Sequence, residues 1–389
     1  MSPKPLIVIA LALALAACGG SSSSTSSSST PASSASAEPT DITLSYDWPT
    51  VDFEAVPIVV AQQKGWFKEQ GVNVELIFPP DPASSAKVLA TGKSDLALLT
   101  TTDVVFSAKS KLPIMSIGNY TMSNNWGLFT KPGTPISIDT LKGKRISTYG
   151  DSWTKAMLPF VLQDAGLTDK DVKEVVVDWD LPLLLKGKID IATNTTNFLI
   201  AGVQDETGKD PEYLLAKDHG APDVPVWVWA GNADWLKEHG DAAKGFMAAI
   251  AKATDWACAN PEDAATMFGD AYPDSGYSFS YNRIGWTDTC RYMKNADGQY
   301  FTQTDEQWTQ LADALKGIGQ LDAIDAPSTY STNEYLPNGW DRREHLKVFP
   351  SQWIRPTAVL VSPVMATTSP PESGSLDRFF RITERGSTI

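Results

Sequence analysis

The chain has 389 residues and a net charge of −14 at neutral pH. That length can bury more than one hydrophobic core, so two lobes are expected. An acidic chain with no Lys/Arg stripe interleaved with aromatics repels phosphate backbones, which argues against nucleic acid as a partner. Six of the nine arginines lie beyond residue 341, which sets the C-terminal stretch apart in composition.

At the N-terminus Lys4 precedes LIVIALALALAA (residues 6–17). This apolar run is too short to span a bilayer as a stable helix and has the form of a signal-peptide core. It closes as LAACG, a small-residue cleavage site that resembles the bacterial lipobox. The resemblance implies cleavage before Cys18 and lipidation of that cysteine; an ordinary secretory signal with an incidental cysteine is the alternative. The following tract, GGSSSSTSSSSTPASSASAEPT (residues 19–40), has no periodicity and no core-forming residues. As a coil it reaches about 25 Å, enough to tether a folded domain just outside the cell membrane. Cys258 and Cys290 are the remaining cysteines. In an oxidising compartment a disulfide between them is expected, with two buried thiols as the alternative.

From residue 41 short apolar runs alternate with amphipathic stretches. Strands are expected at 42–46, 72–78, 95–99, 113–118, 144–149, 172–177, 189–193 and 226–230, and helices at 53–70, 83–91, 154–165 and 241–259. Strands separated by helices indicate parallel α/β sheets. Gly71 and Gly166 stand where C-terminal glycines belong, and Asp151 and Ser152 where an N-cap belongs. The first strand ends as LSYDWPT (residues 44–50), placing Asp47 and Trp48 beside a proline break; Trp48 fits either a core or a ligand floor.

An internal echo follows. GKSDLALLTTTD (residues 92–103) and GKIDIATNTTNF (residues 187–198) each open a short apolar strand with an aspartate, Asp95 or Asp190, and end in threonines. Two lobes on one plan would bring these turns to the carboxyl ends of parallel strands, where open α/β sheets bind ligands. Helix capping is the plainer reading of the same threonines and asparagines. NWGLFTK (residues 125–131) and PVWVWAGN (residues 225–232) are extended and aromatic, and are read as two hinge strands. Lobe one then comprises residues 41–126 and 233–337, and lobe two residues 127–232 with the hinges.

With these segments in this order, the sequence resembles the type II solute-binding proteins of ABC importers, in the branch that includes nitrate, sulfonate and thiamine-pyrimidine-precursor binders. The matching residues are Asp47-Trp48, AQQKGWFKEQGVNVEL (61–76), PPDP (79–82), GKSDLAL (92–98), PIMSIGN (113–119), LKGKRIST (141–148), LKGKIDIA (185–192) and NPEDAA (260–265). The resemblance covers about residues 41–337. It implies two Rossmann-like lobes joined by two hinge strands, a monomer that captures a small solute between them, and an ABC permease as partner. The Asp-Trp pair and the PPDP turn are closest to the pyrimidine-precursor branch, although residues 50–53 (TVDF) stand where that branch has asparagines. Phe198-Leu199 stands where it has an acidic residue. The related pyrimidine synthase carries a run of cysteines that this chain lacks.

Candidate ligand residues are Asp47, Trp48, Thr101, Asp103, Tyr149, Ser152, Trp153, Trp179, Asn194, Thr195 and Trp227, with Trp126 and Asp180 beside them. Indoles stack on flat rings and carboxylates accept from ring amino groups, so a neutral or weakly cationic heteroaromatic amine is expected. Lobe packing is the plainer role for Trp126, Trp179 and Trp227, and N-capping for Ser152. Scarce arginine disfavours the alternative ligand, a sulfonate or nitrate anion. YGDSWT (residues 149–154) raises a Gly-Asp-Ser hydrolase alternative, yet no late D-x-x-H follows: DRREH (residues 341–345) has the wrong spacing. No catalytic residue is therefore assigned. No His pair or Cys pair has metal-ligand spacing and no phosphate loop is present, so neither metal nor cofactor is expected. A structural envelope lipoprotein, the remaining alternative, leaves the hinges and threonine turns unexplained. The stretch 338–389, an atypical extension, lies outside the resemblance.

Overall fold

The computed structural model describes residues 38–337. The signal peptide, Cys18, most of the serine-rich tether and the extension from residue 338 lie outside the described residues.

The chain opens with β1 (Thr40–Ser45), α1 (Val56–Gln63), α2 (Trp66–Glu69), β2 (Val72–Ile77), α3 (Ser85–Ala90), β3 (Leu96–Thr100), α4 (Thr101–Lys109) and β4 (Ile114–Asn119). It then crosses through β5 (Trp126–Thr130) into β6 (Arg145–Thr148), α5 (Ser152–Asp164), β7 (Lys173–Val176), α6 (Leu181–Leu185), β8 (Ala192–Thr195), α7 (Thr196–Thr207) and β9 (Glu212–Leu215). β10 (Trp227–Asn232) crosses back. Five helices complete the described chain: α8 (Ala233–Glu238), α9 (Gly240–Ala259), α10 (Pro261–Ala271), α11 (Phe279–Thr289) and α12 (Asp305–Gly317).

The first sheet has the order β2-β1-β3-β10-β4, in which β1 runs parallel to both neighbours and β10 is antiparallel to β3 and β4. In the second lobe β6 pairs with β7 in parallel, and β5 lies antiparallel between β8 and β9. A parallel bridge between Ile146 and Ile191 joins β6 to β8. The second order is therefore β7-β6-β8-β5-β9, the same plan as the first.

The sequence echo has a physical counterpart in this repeat. Asp95 Oδ2 accepts from the Thr43 N–H at 2.7 Å, and Asp190 Oδ2 from the Arg145 N–H at 2.9 Å. Each aspartate ties the third strand of its lobe to the first. Five residues on, Thr100 and Thr195 are the N-caps of α4 and α7.

Two differences from expectation have local causes. The single helix expected over 53–70 is broken: residues 53–55 form a 3₁₀ turn, and Gly65, at φ +73°, ends α1 and starts α2. The strand expected at 189–193 begins later, at Ala192, because Asp190 and Ile191 donate their backbone N–H groups to Arg145. Gly127 in β5 has no room for a side chain, since a Cβ would lie 2.2 Å from the Leu214 carbonyl oxygen.

α1 buries Val56, Pro57, Ile58, Val59, Val60 and Ala61 and packs against α9 and α10. The smaller core of the second lobe gathers Phe129, Leu184, Ile189, Ala192, Leu199 and Val203. The return helices are not confined to the first lobe. α11 lies along α7 and carries Gly285 against the Phe53 ring, so it touches both lobes. Cys258 at the end of α9 and Cys290 after α11 are joined by a disulfide, with Cα atoms 5.6 Å apart.

That disulfide fastens α11 to the body of the first lobe. Closing its 32-residue separation stabilises by about 3.7 kcal/mol through loop entropy. Cys258→Ser/Cys290→Ser is expected to lower the melting temperature by several degrees, measured by calorimetry.

Candidate functional site

A cleft between the lobes encloses about 120 Å³, space for on the order of ten non-hydrogen atoms. Its floor is the chain just after β1. Asp47 lies beside the Trp227 side chain, and its own carbonyl oxygen accepts from Ser85 Oγ at 2.9 Å. Trp48 is half-buried and meets Tyr149 of the second lobe edge-on, with ring centroids 5.2 Å apart. The Tyr149 hydroxyl donates to Asp180 and accepts from Asn194 Nδ2 at 3.2 Å. Over the mouth, Trp179 stacks on Tyr277 at 5.3 Å, and Tyr277 stacks on Tyr281 at 4.7 Å.

Nine of the eleven sequence-predicted residues line this cleft: Asp47, Trp48, Asp103, Tyr149, Trp153, Trp179, Asn194, Thr195 and Trp227; Trp126 and Asp180 join them. Two do not. Thr101 is buried and its hydroxyl donates to the Pro225 carbonyl at 2.7 Å, because the first residue of α4 turns toward the crossing strand. Ser152 is drawn away from the cleft by the other lobe. Its hydroxyl donates to Asp103 Oδ1 at 2.6 Å and lies 3.0 and 2.8 Å from the Thr100 and Thr102 hydroxyls. The helix N-cap is Asp151, which accepts from the Thr154 N–H at 2.7 Å. The first turns of α4 and α5 thus meet through a polar latch. Thr196 and Asn197 do not line the cleft either: Thr196 donates to Asp288, and Asn197 Nδ2 donates to the cleft-lining Glu54 Oε1 at 3.0 Å.

Asp52, Glu54, Asp178, Tyr277 and Tyr281 also line the cleft and were not anticipated. Glu54 carried a signal, being a charge inside the apolar run FEAVPIVV (residues 53–60). The tyrosines come from the return segment, more than two hundred residues from Asp47 in sequence. Asp52 Oδ1 accepts from the Tyr46 hydroxyl at 2.7 Å and from the Glu54 N–H at 2.9 Å. Burial pushes Asp52 up to about 7 and Asp180 up to about 6. Burial, followed by repulsion from neighbouring carboxylates, holds Asp47 and Glu54 well above the carboxylate range. Asp103 and Asp151 are raised by burial as well. Among the described residues no cluster of His, Cys, Asp and Glu is arranged to hold a metal ion.

Asp52 binds its proton more tightly in the folded protein than at its ordinary value of 3.8. Its contribution to stability is therefore most favourable at low pH and is lost as pH rises toward 7. Asp52→Asn keeps both accepted hydrogen bonds. It is expected to melt higher than wild type at pH 8 and to lose that advantage at pH 5. Ser152→Ala removes the latch: small-angle scattering should show a larger ligand-free radius of gyration. Ligand affinity should fall by about three- to tenfold, the worth of one or two hydrogen bonds.

The sequence profile described as NMT1/THI5 like matches residues 52–264, more than half of the chain. A Haemophilus influenzae protein named for thiamine biosynthesis is 27% identical over 298 residues, covering 76% of this chain and 90% of that protein. The 4-amino-5-hydroxymethyl-2-methylpyrimidine phosphate synthase of Uromyces fabae is 26% identical over 314 residues, covering 76% and 87%. The formylaminopyrimidine-binding protein of Halalkalibacterium halodurans is 24% identical over 272 residues, covering 69% and 81%. Among solved structures, the alkanesulfonate-binding protein SsuA of Xanthomonas axonopodis pv. citri, bound to MOPS, superposes with a TM-score of 0.60 at 13% identity, covering 76% of this chain and 99% of that one. Together with the strand order of the two sheets, this likeness is that of the type II periplasmic-binding-protein fold. The chain belongs to the NMT1/THI5 like family.

Proposed function

We propose that this chain is the extracytoplasmic solute-binding lipoprotein of an ABC importer, and that it captures a small heteroaromatic amine of the thiamine-pyrimidine-precursor kind. The observation that carries this reading is the lining of the cleft. Trp48, Tyr149, Trp153 and Trp179 supply aromatic rings, and seven carboxylates supply acceptors, with no Lys, Arg or His among the lining residues. A sulfonate or nitrate would be set among carboxylates with no cation to meet it, which disfavours the anion alternative. The Trp153 indole N–H, Thr195 Oγ1 and Asp151 Oδ2 are buried without protein partners, although their residues line the cleft. A ligand with both donors and acceptors would supply those partners, whereas a plain hydrocarbon ring would not. The pyrimidine-binding relative from Halalkalibacterium halodurans supports the same ligand class.

The fungal relatives are named as synthases, so catalysis is the competing reading. Binding is favoured by the state of the polar groups a hydrolase would use. Ser152 is not among the cleft-lining residues and is engaged by Asp103, His219 pairs with Asp164 at 2.8 Å, and His239 stacks on Trp235. Capture and handover follow from the architecture: ligand contacts from both lobes stabilise a closed form, and that form docks on a permease. Among the described residues no helix is long and apolar enough to cross a membrane. Lipidation of Cys18 would hold the protein at the outer face of the membrane as a monomer.

Trp48→Ala tests the site. With 4-amino-5-hydroxymethyl-2-methylpyrimidine as ligand, the wild type should show quenched tryptophan fluorescence on binding. The mutant should lose part of that quench and roughly 1.5–3 kcal/mol of affinity, one to two decades in Kd. Trp48→Phe should recover part of the loss. Both mutants should melt near the wild-type temperature, because a half-buried cleft residue adds little to either core. A large fall in melting temperature with affinity intact in the folded fraction would return Trp48 to a packing role.

A further inference from the structure

The charge in the cleft is one-sided. Asp47, Asp52, Glu54 and Asp103 reach it from the first lobe, and Asp151, Asp178 and Asp180 from the second. None of the seven forms an ion pair with Lys, Arg or His among the described residues. Lys155 lies near Asp151 and lowers its proton affinity slightly, against the larger effect of burial. The titratable neighbours are otherwise phenols: Tyr46 and Tyr120 beneath the floor, Tyr149 on the facing wall, and Tyr277 and Tyr281 at the mouth.

Three of the carboxylates fall within eight residues of chain, 47–54. Their neighbours are neutral: Asp52 accepts from Tyr46 and a backbone N–H, Glu54 accepts from Asn197, and Asp47 lies beside the Trp227 side chain. Neutral donors steady a carboxylate without cancelling its charge, so three buried carboxylates this close remain mutually repelled. Burial first, and repulsion from neighbouring carboxylates second, raises the proton affinities of Asp47 and Glu54, and burial raises that of Asp52. Directly around them stand Trp48, Trp126 and Trp227, whose ring faces attract cations. Carboxylates without counter-charge, inside an aromatic wall, are matched by a positively charged ring.

We infer that the ligand occupies this cleft as a cation, its charge set against Asp47, Asp52 and Glu54 and its ring among the tryptophans and tyrosines. This rests on the heteroaromatic reading above and narrows it to rings that carry a fixed charge or take a proton at a ring nitrogen. For a ring that arrives neutral, the step is a proton transfer: a carboxyl O–H bond breaks, a ring N–H bond forms, and no proton is exchanged with solvent. A ring with a fixed charge needs no such transfer.

The test pairs two probes of similar size and shape, 1-methyl-4-aminopyridinium, which is always charged, and 1-methyl-4-pyridone, which stays neutral at pH 7.5 because its ring nitrogen takes no proton. Titration calorimetry with the full chain at that pH gives both affinities. The pyridinium should bind at least about tenfold more tightly. Asp52→Asn should weaken pyridinium binding by about tenfold and change pyridone binding by less than threefold. Equal or tighter binding of the neutral ring, or pyridinium binding unchanged by Asp52→Asn, overturns the charge inference and leaves the heteroaromatic reading standing. Absence of heat and of tryptophan quenching with both probes and with 4-amino-5-hydroxymethyl-2-methylpyrimidine overturns the heteroaromatic reading, and the charge inference with it.

Discussion

β5 and β10 are each hydrogen-bonded along both edges, β10 between β3 and β4 and β5 between β8 and β9. Each is the strand the chain lays into a sheet on arriving from the other lobe. A strand paired on both sides cannot slide without breaking two ladders, and Gly127 shows how close β5 lies to its neighbour. Relative motion of the lobes is therefore left to the short connections just before the two crossing strands. Everything in the cleft depends on that constraint, since it brings the ends of β1, β3, β6 and β8 to face each other with fixed lateral placement.

The contacts that hold the lobes together are largely polar and small. Ser152 meets Asp103 and two threonine hydroxyls, Asn197 meets Glu54, and Ser278 of the return segment meets Asp205 of α7. Aromatic edges add to them at Trp48–Tyr149 and Phe53–Phe198. Such contacts can be exchanged for water at modest cost, unlike the apolar cores within each lobe. A closure built this way responds to a ligand that touches both walls.

The cleft combines features that a protein core avoids. Seven carboxylates share one concave space, and several are raised by burial. Neutral donors fix the orientations of Asp52 and Glu54. An arrangement that is costly in the empty protein becomes favourable once a donor-rich ring fills it, which places the preference for ligand in the shape and charge of the site.

Several elements were legible in the sequence because they depend on local periodicity or on a short repeat. The α/β pattern, the extended aromatic segments of β5 and β10, the Asp95/Asp190 echo and the Asp47-Trp48 strand end are of that kind; that both segments are sheet strands rather than hinges, with β10 in the first sheet, was not legible. The places of Asp47, Trp48, Tyr149 and Trp179 at the cleft have a similar cause, since a residue just past the carboxyl end of a parallel strand is at the sheet's edge whatever surrounds it. The sequence could not decide which way Thr101 and Ser152 turn, because each is set by a partner from a distant segment, Pro225 for one and Asp103 for the other. Nor could it bring Tyr277 and Tyr281 over the cleft, which requires α11 to lie along α7. Local chain chemistry determined the strands, the caps and the ends where a ligand could sit. Only tertiary packing decided which side chains face one another, because hydrogen bonds and ring contacts between lobes join residues whose separation in sequence carries no periodic signal.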